Sequence, residues 1–202
     1  MIPVNKRSFI LSCMSSHIRN SSEWSFACAI SALAYAFLFF INSWLTNDLD
    51  FGLGVNWIYL PAGLRLFLTL IFGLPAAIGI SIASFLISYY GEFPHDLTLC
   101  IGVGLVSGFA PYLARIFVIS NVRLESDMSN LSFQKLLICI CVYAALSSGL
   151  HQWWFSAAAL ENTGSVNHFL VMFIGDVLGS LLLISLIKCS IDLLKKTRKT
   201  AH

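Results

Sequence analysis

Long apolar runs separated by short polar links dominate the chain. Six runs are candidates for membrane helices, at about residues 24–45, 54–72, 75–90, 97–119, 133–160 and 168–187. A membrane helix needs about 20 largely apolar residues, which these runs meet or approach. The pattern predicts an all-α, polytopic bundle of six transmembrane helices. Small residues at helical spacing, as in Gly104-x-x-x-Gly108 and Gly175-x-x-x-Gly179, allow close packing within one bundle or between copies, so a homo-oligomer is left open.

Three segments follow from this pattern. Residues 1–22 form a polar N-terminal segment, residues 23–190 the transmembrane bundle, and residues 191–202 a basic tail. The first apolar run is expected to remain as an anchor, because a long polar lead precedes it and no small-residue cleavage site follows it. Pro61 and Gly63 interrupt the second run early, and Pro111 lies inside the fourth. Since proline removes a helical hydrogen bond, both places are predicted kinks.

Composition excludes several classes of protein. The 202 residues are 57% hydrophobic and 11% charged, whereas soluble domains carry about 25% charged residues. Six membrane helices leave no room for a soluble catalytic domain. The net charge of +2 gives no reason to expect nucleic acid as a partner. The expected surroundings are the lipid bilayer.

The charged residues are divided unequally between the two sides of the predicted bundle. With six spans, eleven of the twelve basic residues fall on the side of the termini, and Arg65 alone lies within a span. The acidic residues of the links on the opposite side are Asp48, Asp50, Glu92, Asp96 and Glu161. Basic residues favour the cytoplasmic side, so both termini are predicted to be cytoplasmic.

A polar layer is expected inside the bundle, in the half nearer the outer surface. Arg65 lies roughly ten residues into its span and Asp176 roughly eight into its own, both counted from the outer end, so their depths are similar. A charge at this depth costs about 2.5–3.5 kcal/mol on insertion scales, so it is usually paired or functional. The candidate residues of the layer are Asn56, Trp57, Tyr59, Arg65, His151, Gln152, Trp153 and Asp176.

Two interpretations of this layer remain open. The Arg65–Asp176 pair could be a buried ion pair that fixes helix register. Alternatively the layer is a ligand site, in which Arg65 binds an anionic or carbonyl group and Asp176 holds Arg65 or binds a cation or proton. The tryptophans also fit an interfacial belt. The sequence contains no phosphate-binding, dinucleotide-binding or metalloprotease motif, so we expect no enzymatic activity, cofactor or metal site.

The order of several short motifs resembles a known family. Trp57-x-x-x-Pro61-x-Gly63 enters the second run, and Pro75-Ala76-Ala77-Ile78-Gly79 begins the third. Trp153-Trp154 and then Gly175-Asp176-Val177-Leu178-Gly179 follow near the end. Over about residues 54–186 the chain resembles the membrane-associated sensor domain of the first type (MASE-like), which precedes histidine kinases and diguanylate cyclases in bacteria. The resemblance implies a sensor in the bacterial inner membrane.

The sequence departs from that family in having only about fifteen residues after the last span. We therefore expect a sensory or regulatory module without an output domain, acting through a signalling enzyme at its cytoplasmic face. A first alternative is the substrate-binding membrane subunit of a vitamin or metal uptake transporter, which would dock an ATPase complex through Ala32-x-x-x-Ala36. A second is a structural or assembly subunit of a membrane complex.

Overall fold

Six α-helices make up most of the protein. A computed structural model describes residues 6–46, 50–52, 55–93, 95–121, 132–160 and 163–200. The helices are α1 Lys6–Leu45, α2 Leu60–Phe72, α3 Leu74–Ile87, α4 Leu97–Asn121, α5 Phe133–Ala157 and α6 Val166–Thr200. All except α2 contain a stretch long and apolar enough to cross a membrane. The chain therefore has the helical, multi-pass architecture that its hydropathy predicts.

The terminal helices run beyond the predicted spans. Helix α1 already includes Lys6, so most of the predicted polar segment 1–22 shares a helix with the first span. Helix α6 likewise continues to Thr200, through most of the predicted tail. A π-helical turn, Ser88–Glu92, extends α3. Of the polar link after α4, residues 122–131 lie outside the described ranges.

The second predicted span differs most from expectation. Helix α2 begins at Leu60, and Pro61 occupies its first turn, where no N–H is needed. The predicted kink at Pro61 is therefore wrong. At 13 residues, α2 is about 20 Å long, against a hydrocarbon core of about 30 Å. Two short antiparallel strands precede it, β1 Asp50–Gly52 and β2 Val55–Asn56, which the all-α expectation lacked.

The extended backbone before α2 is held by its neighbours. The Tyr59 N–H donates to the Gly175 carbonyl of α6 at 3.1 Å, and the Leu60 N–H donates to Asn42 Oδ1 of α1 at 2.9 Å. Non-helical backbone at membrane depth is tolerated only when its polar groups find such partners. We call this end of the bundle, where α1 ends and α2 begins, the hairpin end.

Both glycine pairs pack within the chain. A Cβ at Gly175 or Gly179 would overlap the carbonyl of Asn56 or Tyr59 respectively, because α6 lies directly against the extended backbone. A Cβ at Gly104 would lie 2.8 Å from the Ser81 carbonyl of α3. These small residues let backbones touch, and here the surfaces that touch belong to one bundle.

Candidate functional site

Arg65 lies in the second turn of α2 with its guanidinium enclosed by aromatic rings. Its side chain is 2% exposed. The Cζ atom lies 5.1 Å from the ring centre of Tyr59, 5.8 Å from that of Tyr143 and 6.0 Å from that of Tyr35. Tyr35 comes from α1 and Tyr143 from α5, so three parts of the bundle enclose one cation. Each cation–π contact is favourable by about 0.5–2 kcal/mol, depending on desolvation.

Asp176 of α6 is the charge partner of Arg65. Arg65 Nη2 and Asp176 Oδ1 are 3.7 Å apart, and the Asp176 side chain is 1% exposed. This separation makes an ion pair but is too long for a hydrogen bond. The pairing follows from the depth estimate: both residues lie a similar distance from the hairpin end.

Hydrogen bonding around the pair is incomplete. Among the described residues, Arg65 Nε, Arg65 Nη2 and Asp176 Oδ2 are buried without a hydrogen-bond partner. The buried hydroxyl of Ser180 likewise has none there. Leaving such a group unsatisfied costs about 1–3 kcal/mol, and more for a charged one. A pair whose function is only structural would be expected to use these donors and acceptors.

A second polar chain crosses the bundle beside Arg65. His151 Nδ1 lies 2.8 Å from the Ser147 carbonyl. A carbonyl only accepts, so Nδ1 carries the hydrogen and Nε2 of the neutral ring is an acceptor. Ser107 Oγ lies 3.3 Å from Nε2 and donates to it. Ser84 donates in turn to Ser107 at 2.9 Å. These contacts tie α3, α4 and α5 together.

A cavity of about 230 Å³ connects the two polar groups and extends towards the hairpin end. Arg65, Tyr35 and Tyr59 line its deeper part, and Ser43, Thr46 and Glu92 line it near the hairpin end. Ser84, Ser107 and His151 form one polar wall. Arg65 is part of the lining, whereas Asp176 is not.

The structure divides the predicted polar layer. Asn56, Tyr59, Arg65 and His151 line the cavity together. The other four members, Trp57, Gln152, Trp153 and Asp176, lie outside its lining.

Gln152 is buried, but its amide holds the α5–α6 connection. Its Oε1 accepts from the Gly164 N–H at 3.0 Å, and its Nε2 lies 3.7 Å from the Met172 sulfur. Trp57 and Trp153 are 41% and 64% exposed, as expected for an interfacial belt. Trp57, Gln152 and Trp153 are therefore not part of the cavity lining.

Sequence reasoning missed several members of the site. Tyr35 and Tyr143 lie in apolar runs and were treated as ordinary span residues, although both surround Arg65. Ser84 and Ser107 were missed for the same reason. The available signal was their polarity: each is a hydroxyl inside an apolar helix, on the side facing the bundle interior.

The fold and site define a class, a multi-pass membrane helix bundle with a buried arginine beside a polar cavity. Comparisons of the chain with protein-family profiles, curated proteins and solved structures find no match. The resemblance to the sensor family therefore stays a prediction.

Proposed function

We propose that this protein is a sensory or regulatory membrane module that binds a small ligand through Arg65. The observation that carries the proposal is a guanidinium with two unpartnered nitrogens, among the described residues, on a residue that lines a cavity. Buried polar groups are nearly always hydrogen-bonded, so a ligand that accepts hydrogen bonds would complete the site.

Charge narrows the class of ligand. Arg65 and Asp176 together are neutral. An anion would add uncompensated negative charge in a medium of low dielectric. A cation in the cavity would be repelled by Arg65, which is in the lining, whereas Asp176 is not. A neutral group with an accepting oxygen, such as a carbonyl, fits both restrictions.

The distribution of basic residues supports an orientation. Eleven of the twelve basic residues fall on the side of the termini. By the positive-inside rule we assign that side to the cytoplasm and the hairpin end to the outer side. The cavity then opens towards the outside. Assignment to the bacterial inner membrane rests on the family resemblance alone.

Helix α6 offers a route from the site to the cytoplasmic face. It carries Asp176 and continues without interruption to Thr200, a distance of about 36 Å at 1.5 Å per residue. A ligand that draws Arg65 away from Asp176 would alter the packing of α6. Small helix shifts of about 1–2 Å are a known means of transmission. A partner protein at the cytoplasmic face, such as a signalling enzyme, would read that shift.

The test is native mass spectrometry of the protein purified from its own membranes. The expected result is a small molecule bound to the wild type and lost in Arg65→Gln. Arg115→Gln is the matched control, because Arg115 donates to the Leu70 carbonyl and does not line the cavity. Asn56→Ala, a cavity variant that leaves the ion pair intact, should lower occupancy without unfolding the protein. Equal occupancy in all four proteins would refute the proposal, as would the absence of a bound molecule from the wild type.

Transport is the second candidate, and one contact bears on it. A transporter subunit of this kind would need a free Ala32-x-x-x-Ala36 face to dock its coupling subunit. The backbone of α1 packs closely on α3 there, because the Ala32 nitrogen lies 3.2 Å from the position that a Cβ of Gly79 would take. Part of that face is thus used against α3. Co-purification of an ATPase and coupling subunit would favour transport, and a kinase or cyclase would favour sensing. A stable larger complex without a ligand would favour an assembly subunit.

A further inference from the structure

An apolar groove lies next to the polar cavity on the outside of the bundle. It has a volume of about 440 Å³ and runs between α1 and α3 towards the hairpin end. Leu33, Ala36 and Phe40 line it from α1, and Ile82 and Leu86 from α3. Leu33 and Phe40 are 72% and 63% exposed. In a membrane, this surface faces lipid chains.

The groove and the cavity share a wall. Phe39, Ile87 and Glu92 line both. The Phe39 ring also meets the Tyr59 ring edge-on, with centres 6.5 Å apart, and Tyr59 in turn lies against Arg65. Only a few side chains therefore separate the lipid-facing surface from the buried guanidinium.

We propose that the ligand is a neutral amphiphile that enters sideways from the bilayer. Its carbonyl-bearing head occupies the cavity and accepts from Arg65, and its hydrocarbon tail lies in the groove between α1 and α3. Passage between the two spaces requires the side chains of Phe39 and Ile87 in the shared wall to rotate aside. This inference rests on the proposed function and adds the class of ligand and its route. A membrane-dissolved quinone and an acylglycerol both have this chemistry.

Two features of the structure favour this occupant. Asp176 already balances the charge of Arg65, so an anionic head such as a carboxylate would add a net negative charge to a buried site. A partner helix, about 10 Å wide, would cover the groove but leave the Arg65 nitrogens without partners. A ligand with a polar head and a narrow tail accounts both for the groove and for the Arg65 nitrogens that lack hydrogen bonds.

Photoaffinity labelling in lipid nanodiscs tests the proposal. Two probes carry the same ten-carbon tail with a terminal diazirine. One has a trimethyl-substituted para-benzoquinone head, whose full substitution blocks addition to thiols, and the other has a monoacylglycerol head. Each is competed with its analogue lacking the diazirine, and labelled residues are mapped by peptide mass spectrometry.

Ala36→Phe fills the groove, and Ala145→Phe is the matched control on the exposed face of α5. We expect saturable labelling of α1 and α3 residues that line the groove. Ala36→Phe should lower it at least about fivefold, because an overfilled site excludes its ligand, whereas Ala145→Phe should leave it unchanged. If the quinone analogue competes better than the monoacylglycerol analogue, the ligand is a membrane-dissolved quinone, and the reverse order indicates an acylglycerol.

Several outcomes would overturn the inference. Labelling spread evenly over lipid-facing residues, or insensitive to competitor, would mean that neither amphiphile has a site here. Saturable labelling away from the groove would place the tail elsewhere. If mass spectrometry finds a bound molecule that depends on Arg65 but has no tail, the amphiphile fails while the proposed function stands. If no molecule depends on Arg65, both fail. A helix of another protein crosslinked across the groove would assign it to a protein partner instead.

Discussion

Removing either charge of the Arg65–Asp176 pair should destabilise the bundle, and removing both should cost less than the sum. Arg65→Gln leaves a buried carboxylate without its cation, and Asp176→Asn leaves the guanidinium without its anion. Breaking a buried pair in this way typically costs about 3–5 kcal/mol. We therefore expect each single variant to lose about that much stability.

The separation of the charges gives the scale of their coupling. At 3.7 Å, two unit charges attract by about 4.5 kcal/mol at an effective dielectric constant of about 20. The pair lacks a direct hydrogen bond, so the measured coupling should be smaller. Contacting residues usually couple by about 0.5–3 kcal/mol, and we expect a value within that range.

The measurement is a double-mutant cycle of unfolding in mixed micelles, with helical content followed by circular dichroism. A control cycle pairs Asp176→Asn with Arg115→Gln, because Arg115 contacts the Leu70 carbonyl rather than the acid. That cycle should be additive within about 0.5 kcal/mol. If the Arg65–Asp176 cycle is equally additive, the two side chains do not interact, and the site described here is wrong.

Two further predictions test the packing around the site. Gly179→Ala should lower stability by about 1–3 kcal/mol in thermal unfolding, because the added Cβ overlaps the Tyr59 carbonyl. Gly149→Ala is the control and should be neutral or stabilising, because its Cβ would meet only a ring carbon at 3.8 Å. Asn42→Ala should lower stability by about 1–3 kcal/mol, because it removes the acceptor of the first N–H of α2. Asn121→Ala, at an exposed position, is the control. Equal losses of stability in the two variants would mean that Asn42 does not hold the start of α2.

The helices and the ion pair could be predicted from the sequence because each depends on a strong signal. Apolar runs of about 20 residues indicate membrane helices directly. The Arg65–Asp176 contact followed from counting residues inward from one side. A constant rise per residue makes such counts reliable within a regular helix.

The start of α2 could not be predicted in the same way. Pro61 is compatible with a kink inside a helix or with the first turn of a helix, and local sequence does not distinguish them. The choice depends on distant groups. Asn42 accepts from the Leu60 N–H, and the Gly175 carbonyl accepts from the Tyr59 N–H. Without those partners, the extended backbone would lack hydrogen bonds at this depth.

The direction in which a side chain points around its helix axis explains why the sequence did not separate Gln152 from His151 and did not single out Tyr143. Gln152 follows His151 directly, yet consecutive helical residues point about 100° apart. His151 therefore faces the cavity while Gln152 faces the α5–α6 connection. Depth alone had placed both in one layer. Tyr143, about two turns earlier on the same helix, is rotated about 80° from His151 in the direction away from Gln152 and reaches Arg65.

The structural and functional interpretations of a buried ion pair differ in what they require of its neighbours. A pair that only fixes helix register is most stable when every lone pair and N–H around it is satisfied. Here the Ser180 hydroxyl, Arg65 Nε and Arg65 Nη2 are buried without hydrogen-bond partners among the described residues. The bundle instead leaves a cavity that Arg65 lines and Asp176 does not. That arrangement disfavours the structural interpretation and favours a site that a neutral accepting ligand completes.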